Sequence, residues 1–172
     1  MPFFIRLIQA LSRICGFVAV ALIAVGVGVV CHMVFVRAVL GWSVIWQTEF
    51  VTFSLIAATF IGAPYVLLTR GHVNVELLPL FLGHRARLVL ALVASGLALL
   101  FCLAVLWNSV GWWWEAYSKN WTTDSMWRLH LWIPYLSVPV GMVVLALQYV
   151  ADIYCLATGR DMPFGMAPAR RA

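Results

Sequence analysis

Glu49 is the ionisable residue that lies closest to the interior of an apolar segment. It falls in the first turns of a predicted helix, where the helix dipole favours a carboxylate. Arg37 ends the preceding apolar segment on the same side of the predicted membrane and could pair with Glu49 across the short connection. Alternatively, Glu49 is a solvated anchor at the membrane surface, or it makes a polar contact with a partner subunit.

The other reactive side chains suggest no catalytic or metal site. No histidine lies near the middle of an apolar segment, as the paired axial ligands of a haem bundle would require. All four cysteines fall in apolar segments without a Cys-x-x-Cys pair, which favours small buried side chains over redox chemistry. No nucleophile–base pair and no paired carboxylates are present. The sequence therefore predicts a protein that is not an enzyme and has no cofactor and no metal.

The composition indicates which elements position these residues. Hydrophobic residues make up 65% of the 172 residues and charged residues 10%, whereas soluble proteins have about 25% charged residues. Four continuous apolar segments are each long enough to cross the bilayer as a helix, and their lack of alternation excludes barrel strands. We predict an all-α membrane protein with a single domain over residues 1–172. Its four transmembrane helices are expected at about 14–36, 47–69, 88–114 and 131–155.

Three polar or short segments connect and follow the predicted helices. Residues 73–83 are apolar but too short to cross the membrane, which predicts a short interfacial helix between the second and third spans. A loop packed under the bundle is the alternative. Residues 115–130 form the largest polar segment, as a loop or a short surface helix. The tail 159–172 contains proline and glycine and is expected to be mobile.

The distribution of basic residues predicts the orientation. If both termini are cytoplasmic, eight basic residues lie inside and three, Arg37, Lys119 and Arg128, lie outside. Most tryptophans then fall at the periplasmic membrane surface, where amphipathic rings are favoured. Three of these interface aromatics flank the predicted second and fourth spans: Trp42, Trp46 and Trp132.

Small residues and prolines predict how the helices pack and bend. Ser54, Ala58 and Gly62 repeat every four residues, which puts them on one helix face where a neighbouring backbone can come close. This face, with Ala63 beside it, is expected to pack against another helix or a partner subunit. Three prolines are expected to shape the spans: Pro64 near the inner end of the second, Pro134 at the start of the fourth and Pro139 inside it.

No charged residue lies at the middle of any predicted span, although transporters usually bind substrate, ion or proton through such groups. This absence favours a small helical subunit that packs against a larger membrane partner. A self-sufficient homo-oligomeric channel or exporter is the alternative, and it would be expected to show a polar stripe along one helix face. The polar residues of the spans are isolated Ser and Thr residues and Asn108, and they do not form such a stripe.

Several short motifs occur in order between Arg37 and Tyr149. Arg37 at the end of the first helix is followed by Trp46 and Glu49 at the start of the second. The further motifs are Phe60-Ile61-Gly62-Ala63, His72-Val73-Asn74-Val75-Glu76, Trp132-Ile133-Pro134 and Pro139-Val140-Gly141. In these features the sequence resembles the small membrane subunit of tripartite ATP-independent periplasmic (TRAP) transporters, the DctQ-like family. Thr48 departs from the pattern, because the family usually has a first acid there.

The resemblance implies a function and a set of partners. In this family a periplasmic binding protein delivers an organic anion, such as a carboxylate, to a large multi-span permease subunit. The large subunit imports the anion with sodium by an elevator motion. The small subunit adds helices to the static scaffold and helps to dock the binding protein. The resemblance thus implies a stable complex with the large subunit and transient contact with the binding protein, in the bacterial inner membrane. The basic residues are scattered singly at the ends of apolar segments, so no nucleic-acid partner is expected.

Overall fold

The computed structural model describes residues 3–42, 45–69 and 84–158. Three long helices come first: α1 (Phe3–Phe35), α2 (Ile45–Leu68) and α3 (His84–Ser118). The short helix α4 (Trp132–Tyr135) and then α5 (Ser137–Ala157) complete the fold. The predicted interfacial segment 73–83 and the tail 159–172 lie outside the described residues.

Four helical segments are long and apolar enough to cross a membrane: Phe3–Leu40, Ile45–Leu68, Val89–Ser118 and Trp132–Leu156. Because lipid offers no hydrogen-bonding partners, the backbone of each segment must satisfy its own polar groups, and a helix does so. The predicted all-α membrane fold with four spans is confirmed. The first and third helices extend beyond the predicted membrane segments, the first starting at Phe3 and the third ending at Ser118.

The first span ends in an unusual turn. Residues Val36–Leu40 continue α1 as a π-helical turn, and Gly41 follows in the left-handed conformation with φ +67°. Glycine is the residue that adopts this conformation without a steric penalty, so Gly41 ends the helix and reverses the chain. The π-helical turn also contains Arg37, whose side chain is exposed.

The helices form an arc with α2 and α5 at its centre. The most extensive packing is between α1 and α2, and α5 packs against α2, α3 and, less extensively, α1. A cluster of buried side chains from α3 and α5, which includes Cys102, Met142 and Leu145, forms the apolar core on one side. We call the end with Gly41, the start of α2 and the loop 119–131 the loop end, and the opposite end, with Phe3 and Leu156, the terminal end.

Glycine lets the backbone of α2 come close to two other helices. A Cβ on Gly141 in α5 would overlap the backbone carbonyl of Phe60, and a Cβ on Gly62 would lie 3.0 Å from the Cβ of Ala19 in α1. Both positions are buried. The α2 backbone therefore meets α5 directly at Gly141 and α1 at Gly62, as small residues permit in membrane bundles.

The three predicted helix-shaping prolines have different effects. Pro64 is buried inside α2, and the helix continues past it to Leu68. In the fourth span, Leu136 lies between α4 and α5, with helical φ −60° and ψ −28°, and its N–H donates to the carbonyl of Trp132 at 3.2 Å. Pro139 has no N–H to donate to the carbonyl of Tyr135, and the hydroxyl of Ser137 donates to the carbonyl of Pro134 at 2.6 Å. Pro134 and Pro139 thus lie on either side of Leu136 within one continuous span.

Candidate functional site at the loop end

A buried polar pair joins α1 and α2 at the loop end. Gln47 is fully buried, and its Nε2 lies 2.6 Å from Nδ1 of His32 in the last turns of α1. The other amide atom of Gln47, Oε1, is buried and has no hydrogen-bond partner among the described residues. Burying a polar atom without a partner is unfavourable. Gln47 therefore holds the two helices together. Its Oε1 can still accept a hydrogen bond from a donor outside the described part of the chain.

Glu49 lies one helical turn after the start of α2. Its side chain is half-buried, and its Oε2 is buried without a hydrogen-bond partner in the described segments. Arg37 lies on the exposed surface of the π-helical turn, and no ion pair joins the two residues. Within residues 3–42 and 45–69, then, the Arg37–Glu49 pairing considered above is not formed, and Glu49 presents an unpaired carboxylate oxygen.

Aromatic side chains surround the loop end. Tyr117 stacks on Trp113 with ring centroids 5.8 Å apart and contacts Trp132 edge-on at 5.9 Å. Trp46 at the start of α2 meets Trp127 of the loop edge-on at 6.2 Å. Of the predicted interface aromatics, Trp42 and Trp46 are exposed and Trp132 is half-buried. All three lie at the loop end, and their location at a membrane surface stays a prediction.

The loop between α3 and α4 is folded back on itself and is not a surface helix. Thr123 donates its N–H to the carbonyl of Leu129 at 3.0 Å, and Leu129 donates to the hydroxyl of Thr123 at 3.1 Å. Lys119 at the start of the loop pairs with Glu115 at 2.5 Å. Met126 at the tip is 93% exposed. These bonds hold the loop as a short projection from the membrane surface.

An apolar groove of about 590 Å³ opens beside this loop. Its lining comes from α1, α2, α4, α5 and the loop, and it includes Phe50 near the loop end, Ile61 deeper in α2, and the loop residues Trp127 and Leu129. A second, smaller cavity of about 270 Å³ lies between α2, α3 and the start of the fourth span. Trp113 lines it, and the indole N–H of Trp113 is buried without a partner among the described residues.

The predicted small-residue face lies inside the bundle. Ser54, Ala58 and Gly62 are buried, and Ala63 packs against the core cluster of α3 and α5. The chain's own helices therefore cover the face, except at Ser54, which lines the apolar groove. The predicted polar contacts His72 and Glu76 lie outside the described residues.

A second polar group lies at the terminal end. The hydroxyl of Ser12 in α1 donates to Oε1 of Gln148 in α5 at 3.0 Å, and Nε2 of Gln148 donates to Asp152 at 3.1 Å. Ser12 and Gln148 are almost completely buried. Neither was identified from the sequence. A signal was present, because Gln148 interrupts an apolar run and lies four residues before Asp152, on the same helix face.

Metal ligands do not cluster in the described part of the chain, where no group of three His, Cys, Asp or Glu side chains could hold an ion. Cys15, Cys102 and Cys155 are buried and Cys31 is exposed on α1. The polar side chains that do meet across helices are at the two ends of the bundle.

These features define a multi-pass membrane protein built from four apolar helices with its polar contacts at the two ends. The family model for tripartite ATP-independent periplasmic transporters, DctQ component, matches residues 26–159, which is most of the chain. The chain therefore belongs to the DctQ family and is a small component of a TRAP transporter. This is a family of transporter components and not of enzymes, and it works with a large permease subunit and a binding protein. A search of the curated proteins found no match.

Proposed function

We propose that the chain is a scaffold for the large permease subunit, which imports an organic anion, such as a carboxylate, together with sodium. The observation that supports this most directly is the position of the polar side chains. The segments Ile14–Val36, Phe50–Thr69, Leu88–Trp114 and Leu131–Ala151 contain no Asp, Glu, Lys or Arg. A transport path needs ionisable or polar groups at mid-depth, so substrate and sodium would bind in the large subunit.

The exposed side of α3 supports a scaffold role. This helix packs on α5 and the short α4, and much of its remaining surface is apolar and exposed, including Leu97, Leu100, Phe101 and Trp107. A long helix that its own chain covers on one side only offers a broad face for a larger membrane protein. We propose that the large subunit covers part of this face and lipid covers the rest.

Glu49 is the proposed polar contact at the interface of the two membrane subunits. Its buried Oε2 has no partner in the described residues, and the paired acids usual in the family are reduced here to one, because Thr48 occupies the first position. A buried carboxylate oxygen is stabilised by a hydrogen-bond donor or a cation. We propose that the large subunit supplies that group.

The loop end is the proposed side on which the periplasmic binding protein docks. With both termini in the cytoplasm of a bacterial inner membrane, as the distribution of basic residues favours, the loop 119–131 projects into the periplasm. Its exposed tip at Met126 and its fixed backbone give a defined surface above the membrane. The docking would be transient, since the binding protein must leave to collect the next anion.

Co-expression with the large permease subunit of the same transporter would test the scaffold proposal. A tag on the chain should recover the large subunit at a ratio close to one to one after gentle solubilisation in a mild detergent. The complex should elute as one species in size-exclusion chromatography. Elution of the tagged chain by itself as a monodisperse protein, with the large subunit in a separate fraction, would contradict the proposal.

A further inference from the structure

The length of the apolar groove beside the loop distinguishes a molecule within one leaflet from a transmembrane helix of a partner. Along α2 its lining extends from Phe50 to Ile61, eleven positions or about 16 Å at the helical rise of about 1.5 Å per residue. The hydrocarbon core of a bilayer is about 30 Å thick. The groove is therefore about as long as one leaflet is thick, whereas a transmembrane helix of a partner would need a surface over the full depth.

Helix α1 borders the deep end of the groove. Val18 and Leu22 of α1 line it there, at the level where Gly62 of α2 meets Ala19 of α1. At the loop end the groove is bordered by Trp127 and Leu129. The lining is almost entirely apolar, and its volume of about 590 Å³ lies within the range of small-ligand sites, about 300–1,000 Å³. An elongated apolar molecule that enters from one leaflet fits this shape.

The loop that borders the groove carries an exposed cation. Arg128 falls between the two lining residues Trp127 and Leu129, its side chain is exposed, and no ion pair holds it among the described residues. Trp127 contacts Trp46, so this level corresponds to the aromatic belt next to the headgroups. A basic side chain at that level attracts the phosphate of a lipid. The apolar groove and the cation together match an amphipathic molecule with an acidic headgroup.

We propose that the groove holds one acyl chain of a phospholipid from the leaflet at the loop end, with the lipid phosphate beside Arg128. The chain fills the space between α2, the start of the fourth span and the loop, and Val18 and Leu22 contact its end. The bound lipid becomes part of the packed surface of the subunit. This inference rests on the groove itself and does not depend on the role of the chain in transport.

Native mass spectrometry of the full chain, released from a mild detergent, tests the proposal. The probe is 1-palmitoyl-2-oleoyl phosphatidylglycerol added at increasing concentration. The wild-type chain should retain one lipid. Ala57 lines the groove, and Ala57→Phe should reduce the lipid-bound fraction about tenfold, which corresponds to roughly two displaced methylenes. The matched control is Ala24→Phe on the exposed surface of α1, which should bind as the wild type does.

A variant on the exposed loop tests the headgroup contact without altering the packing of the helices. Arg128→Gln should reduce the preference for phosphatidylglycerol over phosphatidylcholine about fivefold, the value expected for one basic residue near an anionic surface. Arg128→Lys should restore most of the preference. An unchanged preference in Arg128→Gln would overturn the assignment of the phosphate to this residue.

Two results would overturn the assignment of the groove. One is equal lipid retention by Ala57→Phe and Ala24→Phe, with both variants eluting as folded protein. The other is an Ala57→Phe chain that keeps its lipid but no longer recovers the co-expressed large subunit, which would identify the groove as a protein interface. Retention of no lipid by the wild-type chain would count against the proposal as well.

Discussion

The backbone carbonyl of Phe60 in α2 lies directly against Gly141 in α5, so close that a Cβ at position 141 would overlap it. The next turn of α2 explains why this carbonyl is available. Pro64 is four residues further along the helix and has no N–H to donate to it. The Cα–H of Gly141 faces an acceptor that has lost its helical partner, a contact that recurs between packed helices. Pro64 and Gly141 are thus parts of one arrangement that joins the second and fourth spans.

Gly141→Ala should weaken the bundle strongly. The added methyl group meets backbone atoms of α2, which can give way only if the two helices separate, and overpacking of this kind costs about 1–3 kcal/mol. The measurement is equilibrium unfolding of the full chain in mixed micelles with increasing sodium dodecyl sulfate, followed by circular dichroism.

The control for this variant is Gly111→Ala in α3, where a Cβ would have open space. It should leave stability unchanged or raise it, because alanine favours the helix by about 0.5–1 kcal/mol. Equal stability of the two variants would show that α2 and α5 are not in close contact at Gly141.

The Ser12–Gln148 hydrogen bond should stabilise the terminal end of the bundle. Ser12→Ala removes the donor to Gln148, and hydrogen bonds between membrane helices contribute about 0.6 kcal/mol on average, up to about 1.7. A double-mutant cycle with Gln148→Leu, measured by the same unfolding method, isolates the coupling. Ser118→Ala is the control, since its hydroxyl is exposed and bonds within α3. Strict additivity of Ser12→Ala and Gln148→Leu would mean that the bond contributes nothing.

Glu49→Gln should weaken the complex with the large subunit and leave the isolated chain folded. The substitution keeps the shape of the side chain but removes the charge that a partner cation would neutralise. Truncating one partner of a buried charge pair weakens binding by about tenfold or more. Recovery of the co-expressed large subunit in pull-down is the measurement.

Glu115→Gln is the matched control for that experiment. Glu115 is an acid at the same end of the bundle, but it pairs with Lys119 of its own chain. Its substitution should not change recovery of the large subunit. If both variants recover the large subunit as well as the wild type does, Glu49 is a solvated anchor.

Met126→Cys should report the orientation of the chain. The tip of the loop is exposed, whereas the native cysteines all lie within the four membrane-spanning segments. A membrane-impermeant maleimide added to cells with a permeabilised outer membrane should label Met126→Cys, while the wild type shows the background. Phe3→Cys at the exposed terminal end should react only after the inner membrane is opened. The reverse pattern would place both termini in the periplasm.

The four spans could be predicted because hydropathy over some twenty residues is a local property that lipid enforces. The contacts between spans could not. Ser12 and Gln148 lie at opposite ends of the chain, and their meeting depends on how α1 and α5 cross. The Arg37–Glu49 pairing was considered from proximity in sequence, but the π-helical turn at Val36–Leu40 changes the direction of side chains in that region.

The small-residue face is a second case in which the sequence does not determine which helices are in contact. Spacing predicted that Ser54, Ala58 and Gly62 share one face of α2, and this face does pack closely. Spacing does not determine whether the helix that covers it belongs to the same chain. Here α1 meets it at Gly62, so we propose that a partner binds on exposed elements such as α3.

Uptake by reconstituted proteoliposomes tests the central claim most directly. The labelled substrate is the organic anion bound by the binding protein of the same transporter, and an inward sodium gradient supplies the driving force. The account predicts sodium-dependent uptake when this chain, the large subunit and the binding protein are all present, and none when this chain is reconstituted alone. Sodium-dependent uptake by this chain without the large subunit would contradict it.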